Sequence, residues 1–326
     1  MKIGEFEFSA PVFLAPMCGI TDTPFRKLCK RLGAPHALTE MIGSQPGVRQ
    51  SRKARDRMDH RGDSGPIHVQ IAGANPSQMA DAARYNVDHG ADLIDINMGC
   101  PAKKVCNTLA GSSLLRNVKQ VSAIIEAVIE AVDVPVTLKM RTGWDRDSRN
   151  CVEVGRIAES AGIACITLHG RTRNDFYKGE AEFESLKRLR DAVQIPLIAN
   201  GDIVDARRAR TVLRDTGADA VMIGRGAQSH PWLPGDVASF LSQGSDRAEP
   251  SDNEKRDILL ALVADLHAFY GDLGVRMARK HISWQIECFS PEADERRAIL
   301  KAPCAQRQLE LLQRFFESRI QLPKVA

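Results

Sequence analysis

Short apolar runs alternate with amphipathic stretches along the first two thirds of the chain. The apolar runs fall at residues 12–17, 37–41, 66–73, 92–99, 135–141, 164–171, 196–202 and 220–227. They are mostly rich in Val, Ile and Leu on both faces, the pattern of parallel strands covered from either side. Helical periodicity fills most of the gaps: 24–32 with Thr23 as N-cap, 77–89 stopped by Gly90, 118–132, 152–161, 183–192 and 205–216. The stretch 45–60 is polar and basic and gives a weaker helical signal. Eight strands with intervening helices predict an α/β fold, a closed (β/α)8 TIM barrel, rather than an open doubly wound sheet.

A diluted internal repeat supports the barrel. Gly90-Ala91-Asp92, Gly162-Ile163-Ala164 and Gly217-Ala218-Asp219 each end a helix and enter a strand. Seven residues beyond these glycines stand Asn97, His169 and Gly224. Pro135 and Pro196 each open a strand, and four residues on come Lys139 and Asn200. Polar residues thus recur at the C-terminal strand ends, where barrel active sites form. After a polar break at 243–254, the stretches 254–270, 275–289 and 305–320 read as helices. The predicted division is a catalytic barrel over 1–242, a linker over 243–254 and an all-helical domain over 255–326.

The strand ends suggest chemistry. Lys139 closes an apolar strand, and a buried ammonium demands an anionic partner, either a ligand or a neighbouring carboxylate. Asn200-Gly201-Asp202 and Gly224-Arg225-Gly226 follow the last two strands, the usual phosphate-binding place in this fold. Glycines there let backbone N–H groups approach phosphate oxygens, and Arg225 can fork onto them. The chain has no GxGxxG and so no Rossmann-type site. Cys100 sits between Gly99 and Pro101 in a turn after the fourth strand. It is placed to donate a proton or to act as a nucleophile. His169, with Arg171 and Arg173 close behind, fits an anion-facing loop; Gln70 is a carboxamide inside an apolar strand that needs partners from scaffold or ligand.

Composition adds constraints. The net charge is only +4, yet residues 26–61 hold ten Lys/Arg against three acids, and Arg276, Arg279 and Lys280 share a helix face. Both features fit a polyanion surface. The eight cysteines include no C-x-x-C pair, so neither a metal site nor a disulfide framework is expected, and most should be small buried hydrophobes. No uninterrupted apolar run approaches a membrane span, and Glu5 and Glu7 interrupt any signal-peptide core. A cytoplasmic protein without membrane or metal partners is expected, and a monomer.

The ordered stretches Ala15-Pro16-Met17, Gly19-Ile20-Thr21-Asp22, Gln70-Ile71-Ala72-Gly73, the string from Ile94 to Val105 containing Asn97-Met98-Gly99-Cys100-Pro101-Ala102-Lys103-Lys104, Lys139-Met140-Arg141-Thr142-Gly143-Trp144, His169-Gly170-Arg171-Thr172-Arg173, Asn200-Gly201-Asp202 and Gly224-Arg225 closely resemble the bacterial tRNA-dihydrouridine synthases, B-type subfamily. The resemblance covers essentially the whole chain. Cys18 stands where that family usually has alanine. The resemblance implies a flavoenzyme with bound FMN, reduced by NADPH, that converts a D-loop uridine of tRNA, at position 17, to 5,6-dihydrouridine. Hydride would pass from flavin N5 to C6, and Cys100 would protonate C5. Pro16, Met17 and Cys18 would line the flavin ring, with His169 nearby. Gln70 and Lys139 would hydrogen-bond it, and Asn200, Gly201, Asp202, Gly224 and Arg225 would hold its phosphate. Asn97, Arg141 and Arg171 in the barrel, with Arg276, Arg279 and Lys280 in the helical domain, are the expected RNA contacts. A flavin barrel acting on a free pyrimidine, a tRNA-binding protein without activity, and a flavin-free phosphate-binding isomerase are the alternatives. The basic regions, the intact Cys100 and Lys139, and the lack of a strand-end glutamate other than Glu40 weigh against them in turn.

Overall fold

The structure, a computed structural model, describes residues 1–49 and 51–320, without the side chains of 48, 49 and 53. β1 (Lys2–Ile3) and β2 (Phe6–Glu7) pair as a small antiparallel hairpin. Gly4 turns it at φ +57, and a Cβ there would meet the ring of Pro135 at 2.2 Å. Nine further strands share one parallel sheet: β3 (Val12–Leu14), β4 (His36–Ala37), β5 (Ile42–Gly43), β6 (His68–Ala72), β7 (Leu93–Met98), β8 (Val136–Arg141), β9 (Cys165–His169), β10 (Leu197–Asn200) and β11 (Ala220–Ile223).

Their order is β4-β3-β11-β10-β9-β8-β7-β6-β5. The two ends of that order are halves of a single chain segment. Leu38, between them, bridges in parallel to His68 on β6, and the Thr39 N–H donates to the His68 carbonyl at 3.0 Å. The sheet therefore closes on itself with eight strand positions, as the alternation predicts. The second position is broken where one continuous strand was expected. At the break, Glu40 directs its carboxylate to the Gly19 N–H and to Arg57, and the ladder is interrupted.

The N-terminal hairpin is an element the periodicity did not reveal. Ile3 and Phe8 join Phe13, Leu38, Leu93, Cys165 and Ala220 in one buried cluster at the N-terminal ends of the strands. Burying each of the Ile, Leu and Phe side chains contributes about 2 kcal/mol. That end of the barrel is filled, and the C-terminal end is left for chemistry.

The return helices run close to expectation, for example Pro76–Asp88, Val118–Ile129, Cys151–Ala161 and Ala206–Thr216. The cap of Thr23–Arg31 differs. Asp22 in extended conformation accepts from the Phe25 N–H at 3.2 Å, while the Thr23 hydroxyl donates to the Asp59 carbonyl instead. The basic stretch forms two short helices, Pro46–Arg49 and Arg52–Met58.

By internal packing the chain falls into two units: Met1–Ala227 with Trp232–Ser245, and Gln228–Pro231 with the residues from Asp246 onward. In the second unit Asp252–Tyr270, Gly274–Gln285, Ala293–Leu300 and Ala305–Glu317 are helices. Ala293–Leu300 escaped the sequence reading because its residues, ADERRAIL, show little apolar periodicity; a capping box of Glu292 and Glu295 starts it. Within Asp252–Gln285 an eighteen-residue window reaches a mean hydropathy of 1.5, enough by composition for a membrane span, which a search for uninterrupted apolar runs overlooks. The backbone breaks there at Gly271, φ +61, and Gly274 lies against the Leu266 carbonyl, so the window covers parts of two packed helices.

Candidate active site

Consecutive strand ends bring the predicted residues to one mouth. Gln70 lies on β6, Asn97 on β7, Lys139 and Arg141 on β8, His169 on β9 and Asn200 on β10, all buried. Pro16 and Met17 follow β3 and are half-buried, and Cys18 is exposed. Gly224, after β11, faces them: a Cβ there would lie 3.8 Å from Met17 Sδ.

Lys139 donates to Asn200 Oδ1 at 2.9 Å, and Asn200 Nδ2 donates to the Met222 carbonyl at 2.7 Å. Among the described residues Asn200 is the one hydrogen-bond partner of this ammonium. Burial first, and Arg141 with it, push the Lys139 pKa down to about 8, while Asp95 acts in the opposite direction. A buried ammonium with three donors and one neutral acceptor calls for an anion. A reduced flavin ring supplies one, so the residues present fit that group. His169 is held neutral, its pKa well below the usual range, by burial and then by Arg141, Lys139, Arg171 and Arg225. Arg171 approaches His169 Nε2 at 3.3 Å and can only donate, so the ring proton belongs on Nδ1.

The loops after β10 and β11 form a cradle. Gly201 has φ +124, and a Cβ there would meet that of Ala181 at 2.7 Å and the His169 ring at 3.1 Å. Asp202 has φ +48. Its carboxylate accepts from Arg171 at 2.6 Å, the Ala181 N–H at 2.8 Å and Arg225 at 3.2 Å. These cations hold the Asp202 pKa below the usual carboxylate range against the opposing effect of burial, which is the largest single influence. With its carboxylate so engaged, Asp202 has its backbone N–H, not its side chain, to offer an anion. Arg225 is exposed and lies 4.9 Å above the ring of Tyr177, itself half exposed.

Cys100 is partly exposed, and its loop is pinned. Its N–H donates to Asn97 Oδ1 at 2.9 Å, and its carbonyl accepts from the Ser112 N–H and hydroxyl at 3.1 and 2.8 Å. Arg141 Nε donates to the preceding Gly99 carbonyl at 2.8 Å, and its Nη1 to the carbonyls of Thr172 and Phe176 at 2.8 Å each. Burial raises the Cys100 pKa, so the thiol keeps its proton at neutral pH. Arg141 and Arg171, expected at the substrate, are 1% and 3% exposed, and much of their hydrogen-bonding is spent on main-chain carbonyls.

The basic segment 26–61 presents fewer free cations than its count suggests. Arg26 is buried and paired with Asp63 at 2.8 Å. Arg57 pairs with Glu40 at 2.9 Å and donates to Cys18 Sγ at 2.9 Å. Arg61 pairs with Asp59 at 2.5 Å, and the side chains of Arg49 and Lys53 lie outside the described residues. Of the eight cysteines, Cys29, Cys106, Cys151 and Cys165 are buried and Cys18, Cys288 and Cys304 exposed, so half rather than most are core residues. Among the described residues no three His, Cys, Asp or Glu side chains converge as metal ligands. In the second unit Arg276 and Arg279 are exposed and Lys280 half-buried.

Sequence reasoning passed over Asp95, His36 and His68, all within the barrel. The signal for Asp95 was an acid inside an otherwise apolar strand, Leu-Ile-Asp-Ile-Asn.

The closed parallel barrel is shared with solved flavoenzymes. An old yellow enzyme homologue from Zymomonas mobilis superposes with a TM-score of 0.54 at 14% identity, over 77% of this chain and 93% of that one. A variant of the same organism's NCR gives 0.54 at 17% identity, over 77% and 92%. The family described as dihydrouridine synthase (Dus) matches residues 13–321. The chain is 53% identical over 321 residues to the tRNA-dihydrouridine synthase B of Xanthomonas campestris, covering 98% of this chain and 97% of that protein. It is 49% identical over 319 residues to the Vibrio cholerae protein of that name, covering 98% and 99%. A barrel with this mouth and these relatives is a flavin-dependent oxidoreductase. The chain belongs to the dihydrouridine synthase family.

Proposed function

We propose that the protein is a tRNA-dihydrouridine synthase of the B type, with FMN as its bound flavin and NADPH as reductant. It reduces the C5=C6 bond of a D-loop uridine, at position 17. The observation that carries the reading is the buried Lys139 ammonium with one neutral acceptor, set in a chain of this family. Bound at the mouth, the flavin supplies the hydride for C6.

The chain's own residues do the rest. Lys139 offers positive charge to a reduced ring, and Gln70 a carboxamide to its edge; Pro16, Met17 and Cys18 line one side, with neutral His169 close by. The backbone at Asn200, Gly201, Asp202 and Gly224, with the Arg225 guanidinium, suits a phosphate. Cys100 holds the proton destined for C5; a raised pKa keeps it a thiol until the carbon demands it. Asn97 and Arg141 hold the turn that carries Cys100. The uridine leaves its stack to reach the mouth, at about a few kcal/mol. Arg276, Arg279 and Lys280 offer backbone contacts that offset this cost, which makes binding salt-sensitive. The working form in this reading is a monomer in the cytoplasm.

Mapping dihydrouridine in tRNA from a deletion strain, with and without the protein restored, tests the reading. Dihydrouridine at position 17 should vanish and return; its persistence in the deletion strain overturns the assignment. Cys100→Ala is expected to keep its flavin absorbance and to lose dihydrouridine formation, read by mass spectrometry of digested tRNA. A fully active variant excludes Cys100 as the proton donor.

A further inference from the structure

Asp95 stands in the middle of β7, 1% exposed, and among the described residues hydrogen-bonds no cation. Its Oδ1 accepts from Thr137 Oγ1 at 2.6 Å and its Oδ2 from Gln70 Nε2 at 2.7 Å. An ionised carboxylate can only accept, so both neighbours must donate, and this dictates the direction of everything beyond them. On one side Thr137 has spent its single hydrogen, so its oxygen accepts from His68 Nε2 at 2.9 Å. His68 Nδ1 is then an acceptor for His36 Nε2 at 3.1 Å. On the other side the Gln70 amide nitrogen faces Asp95, which leaves Oε1 to accept from Asn97 Nδ2 at 2.7 Å. Asn97 is thereby turned with Oδ1 toward the N–H groups of Gly99 and Cys100, at 3.2 and 2.9 Å. Every bond in the chain runs toward Asp95. Reversing the Gln70 or Asn97 amide alone would set donor against donor.

We propose that Asp95 is a positioning residue whose carboxylate sets the amide orientations of Gln70 and Asn97 and, through them, holds the backbone of Cys100. An asparagine would fill the same space without burying a charge; what the carboxylate adds is direction. The bearing on catalysis rests on the proposed reading of the mouth, but the positioning itself does not.

The experiment reads Cys100 in flavin-free protein, by its rate of alkylation with iodoacetamide. The tryptic peptide ending at Lys103 contains no other cysteine. Asp95→Asn keeps an acceptor for only one of its two neighbours; with the oxygen held by Thr137, its amide nitrogen meets that of Gln70, donor against donor. With one hydrogen bond lost from the turn, alkylation of Cys100 should accelerate about threefold or more. Adding Gln70→Glu restores an acceptor at both ends of that side chain, one for the new amide and one for Asn97. The double variant should return to within about twofold of the original rate, a coupling between neighbours that separate packing defects do not produce. An unchanged rate in a folded Asp95→Leu protein, which leaves Gln70 no acceptor at this position, or a double variant faster than Asp95→Asn alone, overturns the proposal. If Asp95→Asn alone does not fold, the double variant decides: folding rescued by Gln70→Glu supports the directional chain, and failure to fold overturns it. A failed uridine assay on the unaltered protein, with this rescue intact, would count against the proposed function and not against the positioning.

Discussion

Lys139 shows how a residue can weaken a fold and serve its site. Its folded pKa of about 8 lies below the ordinary 10.5 because the charged form is buried. Below pH 8 both folded and unfolded chains carry the proton, and the full penalty stands. Between pH 8 and 10.5 the unfolded chain binds more protons, so stability rises with pH. Lys139→Met should therefore stabilise the flavin-free protein by up to about 3 kcal/mol at pH 7. The gain should shrink at pH 9.5, as checked by urea denaturation at both values, while dihydrouridine formation is lost. Asp95 has the opposite sign: burial raises its pKa from 3.8 to about 6, so it costs stability as pH rises through that window. Residues of this kind were partly legible in the chain. Lys139 stood out because charge is rare in an apolar strand, and so, in hindsight, did Asp95. Their partners were not legible, because Asn200, Thr137 and Gln70 come from other strands.

At the scale of elements, strand ends and turns carry the geometry. The loop after β7 depends on Gly111, where φ is +61 and a Cβ would stand 2.8 Å from the Cys100 carbonyl. That carbonyl is bound by the Ser112 hydroxyl at 2.8 Å, a bond its displacement would strain. Gly111→Ala is expected to cost about 1–3 kcal/mol, read as a lowered melting temperature. It should also slow dihydrouridine formation, because the displaced carbonyl belongs to Cys100. The parallel strands and most return helices could be read from periodicity, since apolar runs of five to eight residues bounded by Gly and Pro leave little choice. The break in the second strand and the Asp22 cap could not. Each depends on where a carboxylate finds its donors, and Glu40 finds one of its own, Arg57, seventeen residues further along the chain.

For the molecule as a whole, charge has to be counted by exposure rather than by sequence. Arg26 is buried against Asp63 and Arg57 is paired with Glu40, whereas Arg276 and Arg279 are exposed. Replacing both with Ala should lower the salt dependence of tRNA binding by about two in the log–log slope, measured by filter binding between low and moderate salt. Flavin content should stay the same. By itself the sequence determined the barrel and the helices beyond it except Ala293–Leu300, because strand and helix periods are local and each run must bury its apolar face. It also determined the family, because the motif residues recur in a fixed order. Only the tertiary structure decided how the sheet closes, that an N-terminal hairpin plugs one end, and which polar groups face one another at the other. Hydrogen-bond direction is a property of pairs. Asp95, Gln70 and Asn97 acquire theirs only when β6 and β7 lie side by side.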